Sequence, residues 1–546
     1  MSSTFGSFNT VRLGIYAAQK GLDVTGNNIT NINTTGYTRQ RLDQVSLMSS
    51  ATDRYHSTYK VRIGQGAVIT SVSQIRDPGL DISFRKAQSD LSETDQWLAG
   101  LEDLASILDE VGKGDGEQDD GVILNQLNDL RDLINKANTN GIQGYDSLIR
   151  SSAKALCQLF NSYADKLEQL EEKYVSELDQ QVSKVNDILN NLRDINVQIR
   201  NSDIRGDDGL ELRDQRNLLL DELSQYMAID VQYSMENIGA GQQVEKLTVK
   251  LASQEGHDHT LVDGEYATQI SHGGPAAQDG EVGYVINLAG LVDKDGMANP
   301  NPGAGYPPEN GIDLVDNDIH GSLQAVRELL TEEGEYAIQG DIDHDPNALT
   351  TRGIPYYQKA LDSLARTFAE AMNAQNTAPN VDGQGNLFSN GSNSDDADNI
   401  TAANISISKA WGEGNVSMIS SQDPNAPTDD RSNLAAFLDL FGKEHRFDPS
   451  LIQPDAVGAS YYGTFEEMLF HIESTLAEDQ MSTGVILNNY SITYNEIYTD
   501  RDSVSGVDLN DEATSLMVYQ KAYTAACRLM TVLETALDSL INGTIV

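Results

Sequence analysis

The sequence predicts an elongated, multidomain α+β protein, in which a coiled-coil pair of helices from the two chain ends carries a long-helix bundle and β-rich inserted outer domains. Three observations carry this prediction. Apolar heptads occur at both termini, a helical pattern of about 50 residues without Gly or Pro follows residue 151, and residues 229–320 alternate between polar and apolar. Since 546 residues exceed the size of one ordinary core, several domains are expected.

Two apolar lines of seven-residue spacing run along the N-terminal segment and interleave as in a coiled-coil seam. They consist of Phe8, Ile15, Leu22 and Ile29, and of Val11, Ala18, Thr25 and Ile32. The C-terminus repeats the pattern with Leu509, Leu516, Tyr523, Met530 and Leu537, and with Glu512, Tyr519, Ala526, Leu533 and Leu540. We expect both ends to form helices that pair through these seams.

The N-terminal seam runs through an asparagine-rich tract, NNITNINTTGY, that residue propensities assign to a loop. The heptad predicts instead that the helix includes Ile32 and stops near Gly36, where glycine tolerates a left-handed conformation. Asn28 and Asn31 can then satisfy polar groups at the helix end, and Tyr37 can anchor the departing chain.

The remaining patterns divide the chain into four predicted parts. Residues 1–45 and 504–546 form a terminal assembly domain, whereas residues 46–227, about 321–376 and 461–503 form a helical rod. Residues 228–320 read as a β-rich outer domain and residues 377–460 as a loop-rich outer region. In the rod, helices are expected at 84–110, 122–137, 151–201 and 210–227. Helix 151–201 alone would exceed about 70 Å at 1.5 Å per residue.

Composition and charge exclude some classes of partner. Acidic residues outnumber basic ones 83 to 37, and the net charge of -46 would repel nucleic acid and anionic lipid. Two cysteines, Cys157 and Cys527, are too few for a disulfide framework. The N-terminus lacks the features of a cleaved secretory signal, and no stretch reaches the roughly 20 apolar residues of a membrane span. Export would therefore require a route without such a signal.

Two clusters invite a metal interpretation, and both patterns are incomplete. His257 and His259 flank Asp258, but no third ligand follows at a diagnostic spacing, which favours a polar turn. The segment DIDHDPN begins like a calcium loop, yet Pro346 occupies the position that needs Gly and Arg352 the position that needs Glu. The sequence also contains no GxSxG, HExxH or P-loop motif. We therefore predict no metal, cofactor or catalytic residue.

The terminal segments carry a resemblance. NNITNINTTGYTRQ resembles the N-terminal signature of bacterial flagellar rod, hook and hook-associated proteins, although Thr35 stands where that family often has Pro. The segment SVSGVDLNDEATSLMVYQKAY resembles the C-terminal signature of the same family, including Glu512, Gln520 and Tyr523. The interior segments LRDQRNLLLDELS, GSLQAVRELL, LDSLARTFAEAMNAQN and DGQGNLF resemble the hook-associated branch.

This resemblance implies a structural protein of the flagellum, without enzyme activity, that forms a ring between hook and filament and supports filament assembly. It implies four partners: further copies of the chain, the hook protein, a second hook–filament junction protein, and an export chaperone at the C-terminal helix. It also implies secretion through the flagellar type III apparatus. From the residues alone, we expect the isolated termini to be labile. Ordering them costs more conformational entropy than is offset by the free energy of burying one stripe of apolar side chains.

Three alternatives remain open at this stage. One is another flagellar axial protein, such as the hook protein or the second junction protein. Hook and rod proteins share the terminal signatures but would typically have SNV where this chain has SGV at 505–507. A secreted enzyme would need a convergent polar pocket. A cytoplasmic coiled-coil adaptor would explain the heptads but neither the Thr-Gly-Tyr turn nor the β-rich segment.

Overall fold

A computed structural model of the chain describes residues 4–47, 66–108, 121–239, 242–252, 259–275, 283–300, 302–303, 305–314, 319–427 and 429–543. Helices dominate this part of the chain. They are α1 (Thr4–Thr30), α2 (Pro78–Leu108), α3 (Val122–Asn140), α4 (Asp146–Arg205), α5 (Leu210–Tyr226), α6 (Gly321–Thr331), α7 (Gln339–His344), α8 (Ile354–Gln375), α9 (Lys409–Glu413), α10 (Ser432–Gly442), α11 (Pro449–Ile452), α12 (Phe465–Ser505) and α13 (Leu509–Asn542).

The described strands form small antiparallel sheets. They are β1 (Gln40–Ser46), β2 (Ala67–Gln74), β3 (Ile229–Gly239), β4 (Gln242–Leu251), β5 (Thr260–Asp263), β6 (Tyr266–Ala267), β7 (Ile270–His272), β8 (Ile286–Leu288), β9 (Ile312–Leu314), β10 (Phe388–Ser389), β11 (Ser406–Ile407), β12 (His445–Phe447) and β13 (Tyr461–Gly463). The larger sheets have the orders β3-β4-β5-β6 and β7-β8-β9, and β1-β2, β10-β11 and β12-β13 are two-stranded.

The long helix predicted from residue 151 is present and extends further than expected. Helix α4 has 60 residues, about 90 Å at 1.5 Å per residue, and contains neither Gly nor Pro. It ends at Arg205 and is capped by Gly206, whose φ of 76° is left-handed and whose N–H donates to the carbonyls of Ser202 and Asp203. Its apolar face packs against α3, α5, α6 and α8, so one helix supports most of the hydrophobic core.

The β-rich segment is an insertion whose two ends meet. Ala228 donates its backbone N–H to the carbonyl of Ile319 at 3.0 Å, at the place where the chain leaves the helical body and returns to it. Asparagine side chains on α4 form hydrogen bonds with the backbone of the inserted segment. Asn186 donates to the carbonyl of Ile270 at 2.8 Å and accepts its N–H at 2.7 Å, and Asn196 donates to the carbonyl of Gly264.

The predicted boundary between residues 45 and 46 divides a hairpin. Strands β1 and β2 pair from Gln40–Gln74 to Ser46–Ala67 and pack along α1. Alternation of side chains along a strand gives no information about which helix the strand accompanies. The region 377–460, predicted to be loop-rich, does contain short helices, the longest of which is α10.

Candidate assembly site

The two terminal helices lie side by side and antiparallel. The chain following α1 contacts the start of α13, whereas Gly21, nine residues before the end of α1, lies under the ring of Tyr519. A β-carbon at Gly21 would stand 2.5 Å from Tyr519 Cδ1, so any other residue there would require the Tyr519 ring or the two helices to shift. The close contact depends on glycine.

The predicted seam is covered unevenly. On α1, Val11 and Ala18 are buried, and the half-buried seam residues are Phe8, Ile15, Leu22 and Ile29. On α13 the half-buried seam residues are Tyr519, Ala526, Met530, Leu533 and Leu537, whereas the exposed ones are Leu509, Leu516, Tyr523 and Leu540. Among the described elements α1 is the one that lies along α13, so the other side of the C-terminal seam is exposed in this part of the chain.

The helix boundary predicted at Gly36 is wrong, and so is the seam position of Ile32. Helix α1 ends at Thr30, so Ile32 lies in the following turn, is 38% exposed and lines a cleft. The physical reason is local hydrogen bonding. Beyond Thr30 the backbone forms tighter turns, in which the N–H of Thr34 donates to the carbonyl of Asn31 at 2.9 Å and the N–H of Tyr37 donates to the carbonyl of Thr34 at 3.1 Å. Gly36 does adopt a left-handed φ of 78°, but within the turn.

Asn28, Asn31 and Tyr37 order this turn as a small polar network. Asn28 is 1% exposed, and its side-chain amide binds both backbone groups of Gln40. It donates to the Gln40 carbonyl at 2.9 Å and accepts the Gln40 N–H at 3.0 Å. Tyr37 Oη donates to Asn28 Oδ1 at 2.8 Å, so the predicted anchoring role is present. Asn31 Nδ2 donates to the carbonyl of Asn27. Burial, with Asp214 and other nearby carboxylates, raises the pKa of Tyr37, which therefore stays a neutral donor.

An ion pair that the sequence pattern did not identify closes the base of the helix pair. Arg39 Nε donates to Glu512 Oε1 at 2.7 Å, and Glu512 is 2% exposed although it occupies an apolar line of the heptad. A carboxylate in an apolar line was the available signal, since a buried charge requires a partner. Its partner was not identifiable, because Arg39 lies at the other end of the chain.

A second network joins this base to the helical body. Arg501, at the end of α12, bridges Asp81 on α2 and Asp221 on α5, and its guanidinium lies 4.2 Å from the centroid of the Phe84 ring. Burial alone would raise the pKa of the Asp81 carboxyl. Hydrogen bonds from Arg76, with the charges of Arg76 and other arginines, outweigh burial and hold this pKa below its ordinary value. The end of α12 is thus connected to the helical body through paired charged groups.

The candidate metal clusters do not form sites in the described part of the chain. His257 and Asp258 lie outside the described residues. In the acidic segment, Asp341 accepts the N–H of Ile338 at 2.9 Å and Asp345 accepts that of Asn347 at 2.8 Å, so these carboxylates serve turns and helix ends. Among the described residues, His, Cys, Asp and Glu side chains form no group suited to a metal ion. No described helix has the length and apolarity needed to cross a membrane.

Comparisons with known proteins first define the class. Residues 9–38 match the family model "Flagella basal body rod protein", and residues 501–543 match "Flagellar basal body rod FlgEFG protein C-terminal". Both segments of the terminal helix pair therefore have the signatures of flagellar axial proteins.

The interior specifies the family. Residues 116–388, half of the chain, match "Flagellar hook-associated protein FlgK helical domain". The chain belongs to the FlgK family of flagellar hook-associated proteins. It is 27% identical to flagellar hook-associated protein 1 of Bacillus subtilis over 100% of this chain and 99% of that protein, and 23% identical to the protein of that name from Salmonella typhimurium over 98% and 99%.

A solved structure agrees with this assignment at the level of the fold. The flagellar hook junction protein FlgK from Burkholderia pseudomallei superimposes with a TM-score of 0.52 at 14% identity, covering 78% of this chain and 100% of that one. At this identity the likeness supports a common fold.

Proposed function

We propose that this chain forms the junction between the flagellar hook and the filament, and that the filament is assembled on it. The observation that carries the proposal is the pairing of α1 with α13, which gives a FlgK-family chain an axial assembly element with one covered and one open side. The proposed role is structural, in keeping with a family of flagellar structural proteins.

The open side of α13 supports packing on further copies. Leu509, Leu516 and Tyr523 follow one line of the heptad and are 53%, 36% and 38% exposed in the single chain. Apolar side chains in such a row gain stability when a neighbouring helix covers them, at about 25 cal/mol per Å² buried. We infer that equivalent helices above, below and beside each chain cover this row, and that the termini become fully ordered only in the assembled ring.

Three other partners follow from the same proposal. The hook protein and a second hook–filament junction protein would contact the two ends of the ring. An export chaperone would hold the C-terminal helix beforehand, and the exposed residues Leu529 and Val532 beside Arg528 offer it an apolar surface. Secretion through the flagellar export apparatus places the protein at the hook–filament junction.

Electron microscopy of a strain lacking the gene tests the function. We expect hooks without filaments, together with unpolymerised filament protein in the medium, and restoration of filaments by the wild-type gene. Loss of the hook itself would instead favour the alternative that the chain is another axial protein. Normal filaments in the deletion strain would exclude the junction role.

A further inference from the structure

The second half of α12 has an apolar face that no described element covers. Its inner face packs on α2, where the rings of Tyr494 and Phe84 lie 5.3 Å apart. A second set of residues follows the helical spacing i, i+3, i+4, i+7 and i+11 on another face. This set, which we name the α12 stripe, consists of Met481, Gly484, Val485, Asn488 and Ile492.

The stripe is strongly exposed. Met481, Val485 and Ile492 are 72%, 60% and 52% exposed, respectively. A β-carbon at Gly484 would have no heavy atom within 4 Å, so the space above the helix backbone is open there. Glycine inside a helix costs about 1 kcal/mol relative to alanine. A neighbouring backbone that approaches closely would account for a glycine at this position.

The stripe also lies in an uncharged stretch of an acidic protein. Charged residues make up 22% of the chain and give a net charge of -46, yet between Gln480 and Thr499 the one charged residue is Glu496. The stripe itself, from Met481 to Ile492, contains no charged residue, and Glu496 follows one helical turn beyond it on the same face. Covering the stripe therefore desolvates no ion of α12. It also allows two copies of a strongly acidic chain to approach where their mutual repulsion is smallest. A basic or acidic partner would find no complementary charge here.

We propose that the α12 stripe is an interface between neighbouring copies of this chain in the assembled ring, a proposal that rests on the junction function. Three apolar side chains bury only a few hundred Å², well below the roughly 1,200 Å² of a stable binary complex. Such a contact is too small to hold two free chains together. It suffices where it repeats around a ring whose copies are also joined through their terminal helices.

A charge placed in the stripe tests this interface. Val485→Asp introduces a carboxylate that is solvated in the free chain and must be desolvated in the ring. The purified variant should melt like the wild type, whereas the number of filaments per cell in the complemented deletion strain should fall at least tenfold while hooks persist. Met297→Asp, at a side chain 65% exposed outside α12, is the matched control and should restore wild-type filament numbers.

A photo-crosslinking residue at position 485 identifies the occupant. Irradiated hook–filament preparations should yield an adduct of two copies of this chain, identified by mass spectrometry. An adduct with a different protein, or no adduct, would overturn the proposal. Full filament numbers with Val485→Asp would also overturn it while leaving the junction function intact, because that function is tested separately by the deletion strain, in which normal filaments or loss of the hook would contradict it.

Discussion

Arg39 and Glu512 lie 473 residues apart in sequence, yet they form an ion pair of 2.7 Å at the base of the terminal helices. Two backbone contacts accompany it: the Arg39 N–H donates to the carbonyl of Ser505 at 2.9 Å, and the Arg39 carbonyl accepts the N–H of Ile75. The two ends of the chain are therefore joined where they leave the body, and the helices beyond that point depend mainly on each other.

Removing Arg39 should loosen the base of α13. Arg39→Leu leaves the Glu512 carboxylate buried without its cation, which costs about 1–3 kcal/mol. Hydrogen exchange of residues 509–516 in the monomer should accelerate by about tenfold to a hundredfold. Arg41→Leu is the control, because the Arg41 side chain is 64% exposed and pairs with Asp43 alone among the described residues.

The same exchange experiment tests the lability of the termini. In the wild-type monomer, protection should be greatest near Glu512 and should decline toward residue 543, because the ion pair lies at one end of the helix. Strong protection across 8–32 and 509–540 would contradict the inference that these helices become fully ordered on assembly. Arg39→Leu with Glu512→Leu should recover part of the lost protection, since no buried charge is left unpaired.

Charge on the open side of α13 should abolish assembly without unfolding the chain. Leu516→Asp alters a residue 36% exposed, so the circular dichroism and solubility of the purified protein should be unchanged. Filaments should be absent on complementation, because the new carboxylate would have to be buried against a neighbouring helix. Leu533→Asp should behave similarly with some loss of stability, since Leu533 is half-buried. Leu148→Asp, at an exposed site in the first turn of α4, should assemble normally.

A buried asparagine should control the stability of the segment after α8. Asn373 Oδ1 accepts the N–H groups of Leu387 and Phe388 at 2.7 and 2.8 Å, and its Nδ2 donates to the Phe388 carbonyl at 2.9 Å. Asn373→Leu removes these partners from buried groups and should cost about 2–5 kcal/mol. Limited proteolysis within 381–427 should become faster. Asn425→Leu, at an exposed position, is the control and should leave the cleavage rate unchanged. Equal cleavage rates for Asn373→Leu and Asn425→Leu would contradict the stabilising role of Asn373.

The carboxyl of Asp362 should make the protein less stable as pH rises. Burial raises its pKa to about 6, although it accepts the N–H of Ala402 at 2.7 Å. The folded state then binds a proton more tightly than the unfolded chain, so stability falls as pH increases through about 4 to 6. Asp362→Asn keeps an acceptor for Ala402 and carries no charge. It should stabilise the protein by about 1–3 kcal/mol at pH 7.5 and by much less at pH 4.5.

Denaturant titrations of wild type and variant at the two pH values measure this difference. Asp395→Asn provides the control, because Asp395 accepts the N–H of Ala410 at 2.7 Å from an exposed position. A gain for Asp362→Asn that is equal at both pH values would show that titration of this carboxyl is not its cause.

Helical periodicity made most of the fold predictable. Residues with strong 3.6-residue patterns and no breakers, such as those of α4, lie in helices close to the expected bounds. The end of α1 was not predictable in this way, because Asn28 and Asn31 bind backbone groups around the turn although the heptad continues in the sequence to Ile32. Apolar spacing describes which side chains share a face, and it contains no information about such side-chain caps.

The assembly site was predictable in part for a similar reason. The seam residues follow from spacing, whereas Arg501 and Asp81 approach each other only because three helices converge. Asn373 and Asp221 lie in two of the interior segments whose sequences resemble those of hook-associated proteins. In the structure, the Asn373 side chain binds the backbone of the segment that follows α8, and Asp221 forms an ion pair with Arg501 at the end of α12.

The bond between Ala228 and Ile319 has a consequence for how members of this family can diversify. Because the inserted sheets leave and return through neighbouring backbone positions, the insert can be lengthened, shortened or exchanged without moving either terminal helix. A foreign domain with closely spaced ends would fit the same attachment point. The attachment point therefore tolerates changes in the insert that leave the terminal helices in place.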